Sequence, residues 1–171
     1  MKGDLHTLKK VCSYGSRAMF IGTVVLIVLA VAFSAVGACS FFSRGADDLL
    51  NQILSTDCCT EPVVKGSSFI EILFLLVLGA VSVYVTFLVM RSVATEHSPF
   101  NESNTKPVIT LSQIYLISAV VFAVLEILAS KQIATILFLF FGCILVSVIL
   151  YVLALIIRYG AVLQTESDHT L

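Results

Sequence analysis

Charge is what this chain has least of. Asp, Glu, Lys and Arg make up 12% of its 171 residues, against 58% hydrophobic residues and a mean hydropathy of +1.04. A water-soluble globule is thereby excluded, because its surface would carry too little charge to stay dispersed. The 10 Lys and Arg balance 11 Asp and Glu to a formal charge of −1. No basic patch of the kind that neutralises phosphates is present, so direct nucleic-acid binding is not expected.

The signatures of chemistry are missing too. There is no C-x-x-C and no H-E-x-x-H, and His6, His97 and His169 all stand in polar segments. Cys12, Cys39, Cys58, Cys59 and Cys143 fall at unrelated depths and cannot gather around one metal. Cys58 or Cys59 could pair with Cys39 or with another chain, but the preferred reading treats all five as small, moderately apolar residues. Gly22, Gly37, Gly79 and Gly142 are isolated within apolar runs, where glycine serves close helix packing rather than a phosphate loop. No catalytic, cofactor or metal residues are expected, and an enzyme is the least supported class.

Four stretches free of Asp, Glu, Lys and Arg fill most of the chain: residues 18–43, 72–90, 107–125 and 132–157, of 26, 19, 19 and 26 residues. At about 1.5 Å rise per residue even the shorter runs reach about 28 Å, matching a hydrocarbon core of about 30 Å. Unpaired backbone groups are costly in lipid, and barrel strands would read as alternating segments of about ten residues, so helices remain. The predicted fold is an all-α integral membrane protein, a four-helix transmembrane bundle with a short outer amphipathic helix. Its parts are an N-terminal segment 1–17, the transmembrane domain 18–157 and a tail 158–171.

Lys2, Lys9, Lys10 and Arg17 ahead of the first run give it the look of a signal peptide, but the run is too long for one. Val36-Gly37-Ala38-Cys39 also resembles a bacterial lipoprotein cleavage site that would leave Cys39 as a lipidated N-terminus; the length of the run favours an uncleaved span. Seven of the ten basic residues precede the first span, lie in loop 91–106, or follow the fourth span. The positive-inside rule then places both termini in the cytoplasm of a multi-pass protein in the cell membrane.

Along the first span, Ala30, Ser34 and Ala38 recur every four residues, which predicts a seam for another helix of the bundle or for a second copy. Ala46, Leu49, Leu50, Ile53 and Leu54 oppose Asp47, Asp48, Asn51 and Gln52, as in an amphipathic helix on the outer membrane surface or folded over the bundle mouth. Residues 55–68 read as an irregular loop through Pro62 and Gly66. Glu71 and Glu126 are expected at the outer rim of their spans, Glu126 shielded by Lys131 beside water, with ion or proton handling as the alternative. The joint 129–132 predicts a tight hairpin between spans three and four, and Leu155, Tyr159, Val162 and Leu163 predict a last helix that outruns the membrane.

Two polar motifs lie on the predicted cytoplasmic side. Ser98-Pro99-Phe100-Asn101-Glu102-Ser103-Asn104 suits a helix start, with Ser98 as N-cap and Pro99 in the first turn. The C-terminal motif comprises Gly160, Leu163, Gln164, Glu166, Asp168 and Thr170. Together they resemble a bacterial family of uncharacterised four-helix membrane proteins, the YoaS type, a domain of unknown function. That family shows Ser/Thr-Pro-Phe with a downstream Asn before its third span, and a C-terminus of the form Gly-x-x-Leu-Gln-x-Glu-x-Asp-x-Thr. This chain departs from it in carrying Pro107 and Lys106 alone where relatives have several basic residues. Genes of the family often neighbour a small Cro/C1-like helix-turn-helix regulator. The resemblance implies a membrane-embedded regulatory or interaction protein that contacts such a regulator through Ser98, Pro99, Phe100, Asn104 and the tail motif. Rival expectations are a small oligomeric transporter or channel using Glu71 and Glu126, or an immunity protein whose acidic loop (Asp47, Asp48, Asp57, Glu61) attracts cationic membrane-active peptides.

Overall fold

Every backbone N–H inside lipid needs a partner from its own segment, and the chain meets this with five helices and no strand among the described residues. The computed structural model describes residues 2–54, 61–95, 102–129 and 133–169, without the side chains of 2–8, 102–103, 164–165 and 167–169. The helices are α1 (Lys2–Ser40), α2 (Arg44–Leu54), α3 (Pro62–Thr95), α4 (Glu102–Leu128) and α5 (Ile133–His169). All but α2 are long and apolar enough to cross a membrane, and the molecule is an all-α four-helix membrane bundle.

The four long helices stand in a row. Close backbone approach joins α1 to α3, α3 to α4 and α4 to α5, while α1 approaches neither α4 nor α5 among the described residues. Burial follows the row, 33% for the α4 span and 17% for the α3 span, against 11% for α1 and for α5. The core lies where α3, α4 and α5 converge, at Leu78, Ala119, Phe122 and Cys143, with Phe74 packed edge-on against Phe122 at 5.1 Å. The outer faces of α1 and α5, with Val31 and Phe138 among them, are left for lipid.

Helix ends depart from the charge-free runs. α1 is continuous from Lys2 and α5 continues to His169, because a charged residue ends the hydrocarbon without ending a helix. Residues 63–68 are helical rather than an irregular loop: Pro62 opens α3, where its missing N–H costs nothing. Pro107 lies inside α4 instead of at its start. The small-residue stripe only partly faces α3: Ala30 and Ser34 line a groove against Leu73 and Val77, Ser34 and Ala38 are exposed, and the tighter meeting of α1 with α3 is through Gly22, Phe33 and Gly37.

The short α2 follows the turn at Phe41–Phe42, with Ser43 at its N-cap position. It rests on α1 and touches α3, burying Leu50 and Asn51 and pairing Asp47 with Lys65 of α3. Leu49 and Ile53 remain exposed beside Phe41 and Phe42, an apolar rim suited to the membrane interface. Lys131, Cys58 and Cys59 lie outside the described residues.

Candidate functional site

Polar side chains inside lipid must be satisfied locally, and most hydroxyls here donate to the carbonyl three or four residues back, as Thr23, Ser82 and Ser118 do. A few reach between helices. Ser82 and Tyr115 meet at 2.9 Å across α3 and α4, and Ser147 of α5 donates to the Ser112 carbonyl of α4 at 2.7 Å. The Ser82–Tyr115 and Phe74–Phe122 contacts fix the antiparallel register of α3 on α4. One turn beyond Phe74 and Phe122, that register brings Glu71 and Glu126 to the same level on facing surfaces.

Both carboxylates are buried, Glu71 at 4% exposure and Glu126 at 0%. The expectation that Glu126 stands beside water is therefore corrected, since it is fully buried; Lys131, its expected partner, lies outside the described residues. Ser67 and Ser68 continue the buried polar face of α3 toward the α2 end.

At the opposite end the same register puts Arg91 of α3 level with Lys106 of α4. Arg17 shares a recess with Arg91, and Arg158 shares one with Lys106. Each long helix thus contributes one cation to a belt around the end that carries both termini. Glu71 and Arg91 stand 20 positions apart on α3, as do Lys106 and Glu126 on α4. At about 1.5 Å per residue this is about 30 Å, which matches one hydrocarbon thickness.

The residues of the two cytoplasmic motifs are only partly brought together. Ser98, Pro99 and Phe100 lie outside the described residues, as do the side chains of Gln164 and Asp168. Asn104, expected on a docking face, is instead buried at 4% exposure on the inner side of α4. Gly160, Leu163 and Glu166 lie on the part of α5 beyond Arg158, with Leu163 and Glu166 exposed. Sequence reasoning put Arg17, Arg91, Lys106 and Arg158 on one side of the membrane together with Lys2, Lys9 and Lys10, but not at one level. The four cations are scattered over 17–158, and only the helix register shows them level. Comparison with family models, curated proteins and solved structures finds no match for this chain.

Proposed function

We propose that this chain is a membrane-embedded regulatory or interaction protein that engages a cytoplasmic partner through the helix ends beyond its cation belt. The observation that carries the reading is the course of α5. It continues as helix from Arg158 to His169 and exposes Tyr159, Val162 and Leu163, followed by Glu166, where hydrocarbon tails no longer cover an apolar stripe. A belt of Arg17, Arg91, Lys106 and Arg158 favours the cytoplasmic side of the cell membrane for this end. The resemblance to the YoaS type makes a small helix-turn-helix regulator the partner to test. Replacing Glu166→Ala together with Asp168→Ala in the full chain lowers co-purification of that regulator while the protein stays folded in the membrane; unchanged recovery rejects the docking surface.

A second reading, a small oligomeric transporter or channel, is favoured by one observation, the levelled and buried Glu71 and Glu126. Ion flux into liposomes containing the purified protein, abolished by Glu126→Gln, would replace the first reading with this one.

A further inference from the structure

Between α1 and α3, within the membrane span, runs a groove of about 670 Å³ whose walls include Thr23, Ala30, Ser34, Val77, Ala80 and Tyr84. Thr23 and Ser34 donate to the Met19 and Ala30 carbonyls of their own helix, so their hydroxyls are satisfied. Tyr84 differs. A phenol stands too far from its own backbone to bond back as serine and threonine do, and among the described residues the Tyr84 hydroxyl has no hydrogen-bond partner.

The five tyrosines divide by depth. Tyr14 lies outside Arg17 and Tyr159 outside Arg158, both on the headgroup side of the cation belt. Tyr115 lies within the span and meets Ser82 at 2.9 Å. Tyr84 and Tyr151 remain. Each stands seven positions before the belt residue of its helix, Arg91 or Arg158, and α3 and α5 run in the same direction. Both are thus at one depth, about 10 Å inside the belt. Both are half-exposed, and Tyr151 also lacks a partner among the described residues. Acyl chains offer no acceptor at that depth, where an open hydroxyl is costly.

The surroundings of the two tyrosines are complementary in shape. Tyr84 borders a groove, whereas Tyr151 lies on a ridge beside Phe141, Val148 and Leu155, which recur every seven residues on the exposed side of α5. Among the described residues α5 approaches α4 alone, so within one chain α4 keeps ridge and groove apart.

We propose that the α1/α3 groove receives α5 of a second copy of this chain, inserted the same way up, with a hydrogen bond between Tyr84 and the second copy's Tyr151. A groove on one surface and a ridge on another make a head-to-tail contact, which closes into a ring about the membrane normal. Arg158 of the second copy then comes level with Arg17 and Arg91, at a depth where salt and headgroup phosphates screen like charges. The contact lies inside the bilayer, apart from the α5 extension beyond Arg158.

The test follows energy transfer between donor- and acceptor-labelled full-length chains in phospholipid vesicles over a range of protein-to-lipid ratios. Transfer rises with the ratio in the unaltered protein. Val77→Trp fills the groove from an exposed wall and weakens association about tenfold. Leu75→Trp, also exposed but about 200° round α3 from Val77, leaves it unchanged. Tyr84→Phe and Tyr151→Phe each remove one oxygen from a half-exposed ring, so the fold stands. Each weakens association about threefold, and the double variant is no weaker than either alone. Absence of transfer at every ratio would leave the groove to lipid chains and overturn the proposal. Equal losses from Val77→Trp and Leu75→Trp would overturn it by placing the contact elsewhere. Additive losses from the two tyrosine variants, or a loss from Tyr84→Phe with none from Tyr151→Phe, would overturn the pairing and α5 as the occupant.

Discussion

The α1/α3 seam and the seams of α4 solve one problem in two ways. Between helices in lipid there is no hydrophobic push, because hydrocarbon tails are as apolar as leucine, so association rests on close packing or on polar bonds. The first seam uses closeness. Gly37 lies directly under the Phe69 ring, Gly22 under Val83, and Phe33 stacks on Phe69 at 4.7 Å. α4 adds polarity to close approach, through Ser82–Tyr115 on one side and Ser147–Ser112 on the other, and it carries buried Asn104, Thr105 and Glu126 along its length. A helix flanked on both sides can keep polar groups away from lipid along its length; of the two edge helices, α1 spends its protected face on Gly22 and Gly37 beside Ser16 and Thr23, and α5 buries Ser147 there.

The contrast breaks most visibly at Phe122. It is fully buried at the junction of α3, α4 and α5, so Phe122→Ala leaves a cavity costing about 3 kcal/mol, read as a lower unfolding midpoint in a detergent or steric-trap titration. Gly37→Ala comes next. A Cβ there stands 2.4 Å from the Phe69 ring, which Phe33 holds in place, and the overpacking costs about 2 kcal/mol. Combining it with Phe69→Leu restores most of the loss if closeness is what holds this seam. Ser147→Ala removes the bond to the Ser112 carbonyl and costs about 0.6 kcal/mol, the usual worth of such a bond between membrane helices. Gly142→Ala meets nothing within 4 Å and leaves stability unchanged or raised by up to about 1 kcal/mol through the better helix propensity of alanine. A Gly142→Ala as damaging as Gly37→Ala would show that contact geometry does not explain the glycines.

The membrane class and the four crossings were legible because long runs without charge admit no other reading. The α2 helix and the extension of α5 were legible from periodicity. The seam on α1 was legible only in part, Ala30 and Ser34 lining a groove against α3 and Ala38 lying exposed. A four-residue step overshoots a full turn by about 40°, so Ala30, Ser34 and Ala38 drift off one face, whereas the seven-residue step from Gly15 to Gly22 drifts by about 20°. The start of α3 was missed because Pro62 and Gly66 look like loop residues, although proline is welcome in a first turn. Glu126 was placed beside water because depth along a helix can be counted in sequence, but the direction a side chain faces depends on which neighbour covers it.

The spacing of charges on α3 and α4 also makes the middle of the row a gauge. Both helices keep 19 charge-free residues between a cation and a carboxylate, whereas the charge-free runs on α1 and α5 have 26. A bilayer a few ångströms thicker than about 30 Å therefore exceeds the inner two runs, of about 28 Å, before it exceeds the outer two.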